Sequence, residues 1–173
     1  YFQRDALGRN ANFLRNQRIT SDTTWNNDLP FVILGGLIVE QGRTLTISKG
    51  TQIYVHADAP IVVDGTIKAI GVHYDSTRIV FQGDRLDEPY KDFPGSWPGI
   101  LFRTTSNDNE FRFVTVKNAY QGVVVENPSA TSNPKLDLKE CIFHNIYDVA
   151  VGGINSSINA RNCEITQAGY NIF

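Results

Sequence analysis

The sequence predicts an all-β chain, a right-handed parallel β-helix wound as a solenoid of about 22–27 residues per coil. Three observations carry that prediction. Apolar triplets recur along the chain with a polar residue or a glycine between them. No helical spacing of apolar residues persists over ten or more positions. The second half of the chain repeats itself.

Residues 1–24 are polar and rich in Arg and Asn, with Phe13, Leu14 and Ile19 as the apolar exceptions. They are expected to lie outside the repeat and to cap the first coil, because a solenoid needs its open end covered. The chain begins at Tyr1, with no initiator methionine or leader. Tyr1-Phe2-Gln3 reads either as the remnant of a tag-cleavage site or as native sequence.

Residues 25–173 are expected to form the coils. The triplets are Leu37-Ile38-Val39, Leu45-Thr46-Ile47, Ile53-Tyr54-Val55, Ile61-Val62-Val63, Ile67-Lys68-Ala69 and Ile79-Val80-Phe81. Alternation over three to five residues turns one set of side chains to a core and the other to solvent. Gly50, Gly65, Gly71 and Gly83 stand in the breaks. From Gln82 to Gly99 the pattern lapses, which predicts a lateral loop.

Vertical matching in the second half separates a solenoid from a sandwich or a barrel. Val116-Lys-Asn-Ala-Tyr-Gln-Gly-Val-Val-Val125 aligns with Phe143-His-Asn-Ile-Tyr-Asp-Val-Ala-Val151, and Ile165-Thr-Gln-Ala-Gly-Tyr-Asn-Ile-Phe173 follows. Val116, Phe143 and Ile165 are expected to stack inward, as are Ala119, Ile146 and Ala168. Asn118, Asn145 and Gln167 are expected to form an amide ladder at a corner. Cys141 and Cys163 fall one repeat apart and read as stacked buried thiols rather than a disulfide or a metal site. Asn171-Ile172-Phe173 stops inside a repeat. Further coils, or a partner chain over that edge, are therefore expected.

Composition narrows the function classes. Net charge is −2, from 16 basic and 18 acidic residues scattered along the chain, which argues against a nucleic-acid surface or a polybasic membrane patch. The longest apolar run, Phe31 to Val39, is interrupted by Gly35 and Gly36 and falls well short of the roughly 20 residues of a membrane span.

Several stretches resemble bacterial pectate-lyase-like β-helix proteins: Gly50-Thr51, Val63-Asp-Gly-Thr-Ile-Lys-Ala-Ile-Gly71, Arg78-Ile-Val-Phe81 and Trp97-Pro-Gly-Ile-Leu-Phe102. The run from Phe81-Gln-Gly-Asp-Arg-Leu-Asp through Tyr90 to Pro94-Gly-Ser-Trp97 is similar to surface proteins, often lipoproteins, of the Bacteroidetes group. The resemblance implies export to the cell surface or outer membrane of a Gram-negative bacterium. It also implies polysaccharide or outer-membrane proteins as partners. It speaks to fold and location more than to activity.

The lateral loop holds the candidate ligand-binding residues Asp84, Arg85, Asp87, Tyr90, Lys91 and Trp97. Its carboxylates could hold Ca²⁺, its basic residues could act as a base, and Tyr90 or Trp97 could stack on sugars. Asp84-x-x-Asp87-Glu88 nevertheless lacks the alternate-residue pattern of a calcium loop. The plainer reading packs Tyr90 and Trp97 onto the coil and leaves the charges solvated or paired. His56 with Asp58 and His73 with Asp75 are spaced to share a face, and both read as strand ends and turn formers rather than metal ligands. His144 should face outward.

No catalytic set is expected and no cofactor other than the calcium candidate. Asp137, Glu140 and Glu164 read as outward carboxylates whose counterparts on other coils are not acidic. Neither a phosphate loop nor a nucleophile elbow occurs. The function read from the sequence is a non-catalytic surface module that presents loops to a glycan or a protein. The alternative is a fragment of a polysaccharide lyase or glycoside hydrolase.

Overall fold

The computed structural model, which describes Asp5 and residues 7–173 apart from the Asp75 side chain, is an all-β parallel solenoid of about seven turns. The readings placed on Tyr1-Phe2-Gln3 and on the Asp75 side chain lie outside the described residues.

Three faces run along the solenoid. The first is built from the leading halves of β1 (Asn12–Ile19) and β3 (Phe31–Val39), then β5 (Gln52–Val55), β8 (Ile79–Gly83) and β11 (Val114–Lys117). It closes with the leading halves of β14 (Ile142–Ile154) and β16 (Glu164–Ile172). The second holds the trailing halves of those long strands with β6 (Ile61–Val63), β9 (Ile100–Phe102) and β12 (Val123–Glu126). The third is a separate six-stranded sheet of β2 (Thr23–Trp25), β4 (Thr44–Ile47), β7 (Thr66–Ile70), β10 (Asn109–Arg112), β13 (Leu136–Lys139) and β15 (Ile158–Arg161). Every pairing between these strands is parallel.

Each of the six triplets is strand, and the first and third residues of each point inward and are buried. Stacking in register makes continuous columns. Ile53, Phe81, Val116, Phe143 and Ile165 form one, the first four almost fully buried. Each such burial stabilises the fold by about 1.5–3 kcal/mol. Phe81 also stacks on Phe111 of the third face, with centroids 6.0 Å apart, so the columns of different faces lock across the interior.

The amide ladder is present in part. Asn118, Asn145 and Gln167 all adopt left-handed backbone (φ 61°, 57° and 54°) and turn the chain between the first and second faces. Asn145 Nδ2 donates to Asn118 Oδ1 at 2.9 Å. Asn tolerates this conformation because its short amide bonds locally.

Two expectations need correcting. Residues 12–24, expected outside the repeat, belong to it: β1 and β2 are a turn of their own, paired in register with β3 and β4. That turn is covered from one side only by a neighbouring coil, so its polar residues remain exposed and its alternation is faint. Asp5 binds Arg9, and Arg9 reaches Tyr54 on the third turn at 2.6 Å, so the segment that holds them lies along the first face. The second correction concerns the thiols. Both cysteines are free and stacked, but only Cys141 is buried; Cys163 is on the outermost turn and is half-exposed. Their contact acts in opposite directions: hydrogen bonding to Cys163, and then burial, push the Cys141 thiol up, while the Cys141 S–H holds the Cys163 thiol down.

Candidate functional site

The lateral loop replaces the two-residue corner of the fourth turn. Trp97 pairs with Ala119 and therefore occupies, on its own turn, the inward corner position held above it by Ala119 and Ile146. It is 1 % exposed, and its Nε1 donates to the Lys117 carbonyl at 2.9 Å. Its ring is core and offers no face to a sugar.

Most charges of the loop are paired within the protein. Asp84 bonds His56 Nδ1 at 2.7 Å. Arg85 forms a fork with Asp87 at 2.8 and 2.7 Å and lies 4.0 Å over the Tyr90 ring. Hydrogen bonding from Arg85 holds the Asp87 carboxyl down at about 2, and Asp87 in turn raises Arg85. Lys91 pairs with Glu88, which raises it. Of the six candidate binding residues, Asp84 and Arg85 border a pocket of about 260 Å³ with Asp5, Phe13, Val32, Leu34 and Tyr54, which Asp87, Tyr90, Lys91 and Trp97 do not line. Among the described residues, no group of three or more His, Cys, Asp or Glu side chains is placed to hold a metal ion. His144 faces outward as expected, with Nδ1 2.8 Å from Thr166 Oγ1.

The amide ladder acts on this loop. Asn118 Nδ2 donates to the Lys91 carbonyl at 2.6 Å, and Asn145 Nδ2 to the Asp92 carbonyl at 2.5 Å. Ser96 bonds the Asn118 carbonyl through both N–H (2.8 Å) and Oγ (2.9 Å). The loop is bound down along two further turns.

A more concentrated polar arrangement lies on the outer side of the third face. The middle residues of its strands stand in one row: Thr46, Lys68, Glu110, Asp137 and Asn159. Beside them run Arg112, Lys139 and Arg161. Strand spacing sets the rungs about 4.8 Å apart. Lys68 Nζ is 3.8 Å from Glu110, which also pairs with Arg112. Asp137 accepts from Asn159 Nδ2 at 2.6 Å and lies 3.4 Å from Arg161. Lys68, Glu110, Asp137, Asn159 and Arg161 floor a groove of about 320 Å³, with Arg112 and Lys139 flanking it along the same strands. The expectation that no acidic residue aligns with Asp137 is therefore wrong: Glu110 is its direct neighbour one turn earlier.

One wall of the groove is cross-braced. Asn127 Nδ2 donates to Thr104 Oγ1 (2.7 Å), and the Ala130 N–H to Asn107 Oδ1 (2.7 Å). Thr131 and Asn133 both donate to Asp108 Oδ1 at 2.9 Å. Beneath it, fully buried Lys135 donates to the carbonyls of Arg103 (3.2 Å), Thr104 (2.9 Å) and Glu126 (2.7 Å). Asn109, buried in an inward position, accepts from the Ile67 N–H at 2.8 Å and donates to the Lys135 carbonyl at 2.9 Å. Wall and floor are thus tied together by the protein's own hydrogen bonds.

Sequence reasoning missed this groove although its signal was present. Lys68, Glu110, Asp137 and Asn159 are each the residue between two inward ones, and stacking those triplets would have formed the row. No protein-family model, no curated protein and no solved structure matches this chain.

Proposed function

We propose that the chain is a binding module of a cell-surface protein, and that it takes a linear, hydroxyl-rich glycan along the groove of the third face. The observation that carries this reading is the row Lys68–Glu110–Asp137–Asn159 with Arg112, Lys139 and Arg161 beside it. Sugar hydroxyls both donate and accept. A row that sets a cation, two carboxylates and an amide on successive rungs at one strand spacing offers such a ligand both donors and acceptors over several rungs. Each carboxylate is already held by a cation, which suits binding and positioning better than proton transfer. Surface location rests on the sequence resemblance alone.

The test is an oligosaccharide array spanning plant and bacterial glycans, followed by calorimetry with the best binder. Binding that falls about tenfold in Asp137→Ala and in Lys139→Ala supports the reading. Silence across the array, or binding indifferent to both substitutions, refutes it.

The contact between Glu110 and Asp137 supports a second reading, glycoside hydrolysis by paired carboxylates. Release of new reducing ends from a bound oligosaccharide, abolished in both Glu110→Gln and Asp137→Asn, would favour it over simple binding.

A further inference from the structure

The corner between the first and second faces carries a feature that the groove does not use. Tyr120 and Tyr147 occupy equivalent positions on the fifth and sixth turns and stack on one another, centroids 5.4 Å apart and 20° between planes. Both follow a buried residue, Ala119 and Ile146, yet they are 47 % and 62 % exposed. Stacking aromatic rings and leaving them in water needs a reason, since burial of such area is favourable.

Two details make this corner more than a chance pair. The ladder between β14 and β16 breaks between Ile146 and Val149: Tyr147 and Asp148 together face Gly169 alone. This is a β-bulge, a device that re-aims side chains. Gly169 is also sterically required. A Cβ there would lie 2.7 Å from the Tyr147 carbonyl oxygen and 2.9 Å from that of Asp148. The seventh turn therefore sets no side chain opposite Tyr147. Beside the rings runs a polar pair on the same two turns, Gln121 Nε2 donating to Asp148 Oδ2 at 3.0 Å. The lateral loop passes close by: a Cβ added at Gly95 would lie 3.4 Å from Tyr147 Cβ.

We infer that Tyr147, with Gln121 and Asp148 at its side, is a second carbohydrate subsite, separate from the groove and suited to an uncharged pyranose. A pyranose presents an apolar C–H face that lies flat on an aromatic ring, and equatorial hydroxyls at its rim that need a carboxylate and an amide within reach. The corner places a carboxylate and an amide next to the stacked tyrosines in the chain, on the same two turns, with a glycine opposite Tyr147 on the next turn. A proline-rich peptide would also stack on tyrosine, but it has no hydroxyl rim to engage Asp148.

The experiment is amide-resolved NMR titration of the intact chain with cellopentaose, and separately with decaproline. Cellopentaose is expected to shift the amides of Gln121, Tyr147, Asp148 and Gly169. Its affinity should fall about tenfold in Tyr147→Ala and in Asp148→Ala, and should be kept in Tyr147→Phe. The groove variant Asp137→Ala should bind cellopentaose at this corner as the parent does, so failure of the groove reading and failure of this one are distinguishable. Absence of shifts at these four amides, shifts with decaproline but not cellopentaose, or unchanged affinity in Asp148→Ala would overturn the inference. The last serves even if Tyr147→Ala perturbs the fold.

Discussion

Replacing Lys135 by Met isolates what a buried cation does for this solenoid. The methionine matches the stem in length and keeps the apolar contacts, but three carbonyl oxygens, at Arg103, Thr104 and Glu126, lose their donor. Hydrogen bonds from a charged donor contribute about 1.5–3 kcal/mol each, so the gross loss is roughly 6 kcal/mol. Against it stands the relief of burying an ammonium group, which amounts to several kcal/mol. Arg103 and Thr104 are on an exposed stretch where water can reach the freed carbonyls, so the net destabilisation should be about 3 kcal/mol. Urea unfolding of parent and variant measures it directly. The sign of the pH dependence gives a second check. Burial, opposed in part by Glu126, holds the Lys135 pKa below its ordinary 10.5. Just below that pH the unfolded chain binds more protons than the folded one, so the lysine makes stability rise with pH there. The difference between parent and Met variant should therefore widen as pH climbs toward 10.5. A variant as stable as the parent would refute the idea that Lys135 ties the groove wall to the turn below.

Further outcomes follow from single contacts. Phe143→Ala removes a fully buried ring from a column and should cost about 3–5 kcal/mol by thermal melting; a variant that melts with the parent would contradict the register. Asn145→Ala should cost about 1–2 kcal/mol and speed proteolytic cleavage between residues 84 and 96, because one amide serves both ladder and loop. Asp5 would be raised by burial, but bonds from Arg9 and two backbone N–H groups outweigh that and hold its pKa below 3.8. Its contribution is present above that value and lost as pH falls through the folded pKa. Asp5→Asn should thus flatten the acid limb of the melting profile, and an unchanged limb would remove Asp5 from the account.

The parts of the fold legible in the sequence are those where alternation is undisturbed. Leu45-Thr46-Ile47 and Ile67-Lys68-Ala69 each place two apolar residues inward, and both are strands. Phe143 over Val116 was readable because turns five to seven differ little in length. The groove was harder to see. Lys68 and Glu110 are neighbours in space, but the whole lateral loop lies between them in the chain, so no fixed period links them. Asn109 hid the inward pattern of its strand, since a buried amide stands where an aliphatic residue was expected. Trp97 could be read two ways, as a binding aromatic within a polar loop or, more plainly, as a ring packed on the coil, and its backbone has indeed rejoined the coil.

The docking of the lateral loop changes how the molecule should respond to load. Solenoids ordinarily peel one turn at a time, because each turn touches only its neighbours. Here a segment belonging to the fourth turn is bonded to Asn118 and Ser96-facing backbone on the fifth and to Asn145 on the sixth. It works as a longitudinal strap. A force drawn along the axis would not meet two weak seams in sequence. It would meet one composite block whose seams share the tension until the strap gives way, and the three turns should then part in a single rupture.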